Sequence, residues 1–160
     1  RLNILKEHGL GLNDIQAVIA DMGPFPGAKE FVKWVSTHFQ LIILSDTFYE
    51  FAHPLMRQLD WPTIFCHKLE TDENGMISAY KLRQPDQKRQ AVKALHGLNF
   101  RVIAAGDSYN DTTMLAEADH GFLFDAPDNV IAEFPQFPPI HGYEALKEAI
   151  RNASVRDIPA

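Results

Sequence analysis

The chain has 160 residues, 46% of them hydrophobic and 22% charged, a balance that suits one globular domain with a substantial core and excludes a disordered majority. A formal net charge of −6 argues against a protein that grips a nucleic-acid backbone or an anionic membrane, because both tasks need a basic face. The single cysteine, Cys66, cannot form an internal disulfide and reads as a core filler; no apolar stretch approaches the roughly 20 residues of a membrane span or carries signal-peptide flanks, so the expected setting is the reducing cytoplasm.

From the front, Arg1 to Gly9 reads as the end of a helix with Gly9 near its stop, and a first residue that is not Met makes the chain look cut there. Asn13 is expected to cap a short helix through Ala20, and Gly23-Pro24-Phe25-Pro26-Gly27 then breaks the pattern as a linker would. Ala28, Phe31, Val32, Val35 and Phe39 fall at helical spacing, and Leu41-Ile42-Ile43-Leu44 follows as an apolar run suited to a strand covered on both faces. A further helix is expected after Thr47, kinked or restarted at Pro54, and then a short strand at Thr63 to Cys66. Lys68 to Thr71 and Met76 to Leu82 flank Asp72-Glu73-Asn74-Gly75 and predict a surface hairpin, because Asn-Gly accepts the positive φ of a tight turn.

Pro85-Asp86 should open a helix that turns Val92, Leu95 and Leu98 inward, and Val102-Ile103-Ala104-Ala105 should be the next buried strand. Asn110 or Asp111 starts a helix with Met114, Leu115 and Ala118 on its inner stripe. Gly121 to Phe124 is expected as the last strand, Pro127-Asp128-Asn129 as a turn, and Pro135, Pro138 and Pro139 as an extended tail before a closing helix near Tyr143 to Ile150. The alternation predicts an α/β domain built on a parallel sheet.

Open α/β sheets bind ligands beyond the carboxyl ends of their strands, and three signals sit at such places. Ser45-Asp46-Thr47 follows the Leu41 to Leu44 run, where a hydroxyl and the N–H groups of a turn entering a helix can bond phosphate oxygens; alone, the tripeptide reads equally as a helix cap. Lys88 lies on the first turn of a helix, where a cation opposes the macrodipole unless an anion compensates it, while Arg89 reads better as a solvated surface charge. In Gly106-Asp107-Ser108-Tyr109-Asn110-Asp111, two acids four residues apart end a buried strand and can hold a hard divalent cation through oxygen. The competing reading of that hexapeptide is a capping Asp107 and a dipole-favourable Asp111.

This order, an apolar strand ending in Ser, then Lys, then Gly-Asp-x-x-x-Asp, resembles the second, third and fourth motifs of the haloacid dehalogenase superfamily of aspartate-dependent phosphatases. More narrowly, Ile43 to Phe51, Pro54 to Leu59, Arg101 to Leu115 and Glu133-Phe134-Pro135-Gln136-Phe137-Pro138 resemble the bifunctional phosphoserine phosphatase/homoserine phosphotransferase branch. The resemblance implies a Rossmann-like core with a helical cap inserted early in the chain, so that residues 1–25 would be the C-terminal part of the cap and 26–160 the core. It implies Mg²⁺, with Asp107 as metal ligand. Ser45 and the Asp46 backbone would cradle phosphate, Lys88 would neutralise it, Asn110 would touch substrate, Asp111 would position Lys88 or the metal-bound water shell, and Arg1 would reach substrate from the cap. The partners implied are phosphoserine and homoserine as acceptor, with a homodimer left open.

One family element is missing. No acid ahead of Ser45 (Glu7, Asp14, Asp21 or Glu30) ends an apolar strand with a second acid two residues on, so the nucleophilic aspartate and its general acid/base are expected upstream. That segment also supplies the central strand, between the strand ending at Ser45 and the one ending at Ala105, so the chain should leave a slot in its sheet and stand poorly alone. The alternative is a non-catalytic phosphate- and cation-binding module or regulatory relative. A response-regulator receiver is disfavoured, because its acids precede its hydroxyl and its lysine ends a strand.

Overall fold

The computed structural model describes residues 7–156 and Ile158. They form two compact units that divide between Pro85 and Asp86. Arg1 and most of the expected opening helix lie outside the described residues; Gly9, where that helix was expected to stop, has φ +65.

In the first unit, α1 (Leu12–Met22) starts after Gly11, whose N–H donates to Asp14 Oδ2 at 2.8 Å. The cap is therefore Gly11 with Asp14 and not Asn13, because the carboxylate three residues on reaches back to an N–H that Asn13 cannot. The linker glycine Gly27 takes φ +83 and opens α2 (Ala28–His38), which buries Val35. The strand β1 (Ile42–Phe48) leads into α3 (Tyr49–Gln58), which carries Pro54 inside it. Gln16 Nε2 donates to the Glu50 carbonyl at 2.7 Å and Gln58 Nε2 to the Ala20 carbonyl at 3.0 Å, fastening α1 to α3. Ala52, Met56 and Leu59 form a buried cluster on which Val32, Ile43, Leu55 and Ile64 pack.

The short strand expected at Thr63 and the first arm of the expected hairpin are one strand, β2 (Thr63–Thr71). Its first half pairs parallel with β1 (Ile43 opposite Ile64) and its second half antiparallel with β3 (Ile77–Lys81; Leu69 opposite Tyr80). Asp72 builds the hairpin turn: its Oδ1 accepts the N–H groups of Asn74 and Met76, both at 2.9 Å, and only Gly75 in the loop has positive φ. Cys66 is 1% exposed, and burial foremost, with the Glu50 charge, pushes its thiol up to about 11 against the opposing pull of Arg83. It is a protonated core filler.

The second unit begins with α4 (Gln87–Gly97), whose Val92 is buried. Leu98, expected inside, is the residue after the helix and is exposed, since the α-helical stripe ends where the helix ends. Next come β4 (Ile103–Gly106), a 3₁₀ turn at Tyr109–Asp111, α5 (Thr112–Glu117) and β5 (His120–Phe124). The expected turn at Pro127 is the cap of α6 (Asp128–Glu133), and the proline tail adds a strand that periodicity does not reveal, β6 (Pro139–Ile140), ahead of α7 (Tyr143–Ala153). All strand pairs here are parallel, in the order β4-β5-β6. Leu115, Leu123, Val130 and Leu146 make the core.

The two strands expected to flank a missing one, β1 and β4, each stand at an edge of a three-stranded sheet. Among the described residues neither has a neighbour on its outer side, and Ile42, Ile43 and Leu44 of β1 are consequently half-buried, not covered on both faces as their sequence predicts.

Leu123 is fully enclosed in the middle strand of its sheet. Leu123→Ala is expected to cost about 3 kcal/mol from lost transfer energy and the cavity left behind, measurable by urea unfolding of the whole protein.

Candidate active site

The strand β4 delivers its chain at Gly106 into a turn organised by one side chain. Asp111 is 5% exposed; its Oδ2 accepts the backbone N–H of Asp107 at 3.1 Å, the N–H of Ser108 at 3.1 Å and the Ser108 hydroxyl at 2.9 Å. Its Oδ1 takes Lys88 Nζ at 2.8 Å, a pair with side chains 11% and 8% exposed. Burial alone would push the Asp111 carboxyl up, but the bond and charge of Lys88, joined by the Ser108 bonds, outweigh it and hold the group below its ordinary value.

Gly106 is required by this closeness. A Cβ on it would stand 2.5 Å from Asp111 Cβ and 2.6 Å from its Cγ, so any side chain there expels the carboxylate that shapes the turn.

The cation comes from the second residue of α4, and two further bonds hold that helix to α5. Thr113 Oγ1 donates to Asp86 Oδ1 at 2.8 Å, and Arg89 Nε donates to Glu117 Oε2 at 2.8 Å. Asp86 itself sits at φ 49, ψ 44, a left-handed conformation uncommon for a residue with a Cβ. Arg89, expected to be merely solvated, is thus a tie between helices. Its partner is 28 residues away in sequence, and the pairing leaves no local signal in the chain. Ser108 and Asp86 are likewise site residues that the motif spacing does not single out.

Asp107 and Asn110 are exposed, and among the described residues no hydrogen bond reaches the Asp107 carboxylate. The second unit therefore gathers Lys88, Asp107, Asn110 and Asp111 about one turn. Ser45 and Asp46 belong to the first unit, and Arg1 lies outside the described residues.

Ser45-Asp46-Thr47 was expected in a turn entering a helix. It lies within β1, which continues with an irregular register to Phe48, and the helix starts only at Tyr49. The extension follows from Phe48, whose ring meets Phe51, His67 and Tyr80 at 5.7, 6.1 and 6.2 Å. Ser45 Oγ accepts the Thr47 N–H at 3.2 Å, and Asp46 Oδ1 stands 3.9 Å from Nε2 of the buried His67, whose Nδ1 accepts the Arg83 N–H at 3.0 Å.

Among the described residues no three His, Cys, Asp or Glu side chains gather as a metal cage. Mg²⁺ does not demand one, since it keeps several waters and binds through one or two carboxylates and substrate phosphate. An exposed carboxylate at a strand end, with its neighbour Asp111 fully engaged elsewhere, suits that mode.

The profile of the haloacid dehalogenase-like hydrolases matches residues 4–119. The chain belongs to this family. Among its relatives, "Phosphoserine phosphatase" of Pseudomonas syringae pv. tomato is 61% identical over 158 residues, covering 99% of this chain and 67% of that protein. "Phosphoserine phosphatase ThrH" of Pseudomonas aeruginosa is also 61% identical over 158 residues, covering 99% of this chain and 77% of its own length. The crystal structure of phosphoserine phosphatase from T. onnurineus superposes with a TM-score of 0.69 at 20% identity, over 89% of this chain and 66% of that one, which shows the shared α/β fold. The chain thus spans about two thirds of that solved protein.

A carboxyl held below its ordinary value of 3.8 contributes stability that is fully present above that value and is lost as pH falls through the lower folded one. The Asp111 contribution should therefore hold from neutral pH down to about pH 4 and vanish below it, and Asp111→Asn should flatten that acid limb in urea titrations at stepped pH. Lys88→Met strands a buried carboxylate and should cost about 3 kcal/mol at neutral pH, a deficit that shrinks as the pH falls and the carboxyl takes up a proton.

Proposed function

We propose that this chain is the larger part of a Mg²⁺-dependent phosphoserine phosphatase that works through an aspartyl-phosphate and can also pass phosphoryl to homoserine. The observation that carries the reading is the buried Lys88–Asp111 pair beside an open Asp107 at the carboxyl end of a parallel strand. The names of the two 61%-identical relatives supply the substrate. The lone buried thiol of Cys66 fits a cytoplasmic setting.

Phosphoryl transfer depends on positioning and on offsetting charge at the transferring oxygens. Lys88 is suited to the second task, because its ammonium is fixed by Asp111 and cannot swing to solvent. Asp107 would hold the metal, which when bound offsets phosphate charge. Asn110 would orient the substrate, and Ser45 with the Asp46 backbone would bond phosphate oxygens. Asp111 acts at one remove: it keeps Lys88 aimed, and it shapes the turn that presents Asp107. We read residues 1–25 as part of a cap, with Arg1 reaching the substrate, and 26–160 as the core.

No acid of these 160 residues ahead of Ser45 ends an apolar strand with a second acid two places on. We infer that the nucleophile and the acid that protonates the serine oxygen are contributed by sequence outside them. The same absence supports a second reading, a phosphate- and cation-binding module with no turnover.

Release of phosphate from O-phospho-L-serine by the whole protein, with and without Mg²⁺, decides between the two. Hydrolysis that requires Mg²⁺ and falls at least about a hundredfold in Asp107→Asn supports the phosphatase, and the 160 residues by themselves should show none. Binding of phosphoserine without turnover by the whole protein would leave the module. Formation of phosphohomoserine when homoserine is added, followed by ³¹P NMR, tests the transfer.

A further inference from the structure

The acidic turn contains a residue to which phosphate chemistry assigns no task, and the tail contains a segment, Glu133-Phe134-Pro135-Gln136-Phe137-Pro138, that the site does not use. The two are bonded to each other. Tyr109 is 45% exposed, yet its hydroxyl donates to Glu133 Oε2 at 2.8 Å and accepts Asn129 Nδ2 at 3.2 Å. Its ring stands edge-on to Phe134 at 5.8 Å and 73°. Phe134 in turn stacks on Phe137 at 6.4 Å and 22°, and Phe137 is 7% exposed. One residue further, the Pro138 carbonyl accepts the N–H of Leu123, in the strand that pairs with β4. The path therefore leaves the end of β4 through the turn, crosses to α6 and returns to the same sheet.

The bonds of Asp111 hold only the near side of the turn, at Asp107 and Ser108. On the far side, the Tyr109 carbonyl accepts Thr112 Oγ1 at 2.8 Å, a bond local to the turn. Among the described residues, only the Tyr109 side chain ties that side to another element by a hydrogen bond. The Glu133 bond is charge-assisted, stronger than a neutral one, and it raises the Tyr109 hydroxyl above its ordinary value.

We propose that Tyr109 is a positioning residue whose hydroxyl clamps the Asp107-to-Asn110 turn to α6, fixing where the Asp107 carboxylate and the Asn110 amide stand. The proposal rests on the phosphatase reading for its effect on rate, and on geometry alone for its effect on the turn.

Tyr109→Phe keeps the ring on Phe134 and removes both hydroxyl bonds. In the whole protein it should lower kcat for phosphoserine about tenfold and raise the Mg²⁺ concentration for half-activation severalfold, with the thermal midpoint close to wild type. Glu133→Ala should match it, Glu133→Gln, which still accepts the bond, should retain most of the rate, and Tyr109→Phe/Glu133→Ala should be no worse than either single change. Independently of activity, amide exchange should quicken at residues 107–111 in Tyr109→Phe and stay unchanged in β5 and α7. Unchanged exchange at the turn, a general quickening, or additive effects of the two substitutions would overturn the clamp. If the wild-type protein does not hydrolyse phosphoserine, the functional reading falls, and the exchange measurement still decides the clamp.

Discussion

A buried carboxylate with too few partners is among the most costly things a fold can contain, and Asp111 is the group around which the second unit is arranged. Taking both charges of the Lys88–Asp111 pair out of water costs several kcal/mol per ion, recovered only with good geometry and with the remaining lone pairs satisfied. Here four donors converge on the two oxygens. Satisfying them dictates the path from β4 into α5, admits only glycine at position 106 and draws the first turn of α4 against α5. The same four bonds hold a cation in place and turn the neighbouring Asp107 outward. Stability and chemistry thus make one demand on this turn.

The sheets carry a second constraint. A strand edge presents unpaired N–H and C=O groups, and proteins usually blunt it with charge, proline or cover. Along Ile42-Ile43-Leu44 and Ile103-Ala104-Ala105 there is no charge and no proline, although β1 and β4 are edge strands among the described residues. Apolar residues of that kind belong to strands enclosed on both faces. They are what a strand placed beside each would require.

Family membership and substrate stand on different footing. The Lys and Asp-x-x-x-Asp pattern suits the offsetting of phosphate charge and so speaks to reaction class. Selection of phosphoserine depends on groups that touch the rest of the substrate. The tail segment from Glu133 to Pro138 meets the acidic turn through the Tyr109 hydroxyl on Glu133 and the Tyr109 ring on Phe134.

The sequence by itself determined the α/β alternation, the hairpin and the order Ser45, Lys88, Asp107, Asp111, because these follow from periodicity and from short-range spacing that backbone geometry enforces locally, and its motifs carried the resemblance to the family. The fusion of two expected strands into β2, the strand at Pro139–Ile140 and the extension of β1 past Ser45 were decided by tertiary packing, where an aromatic cluster or a neighbouring strand overrides local preference. The partners of Lys88, Arg89, Asp86 and Tyr109 lie 23, 28, 27 and 24 residues away. No periodic pattern records such pairings, since only the folded chain brings those atoms within bonding distance.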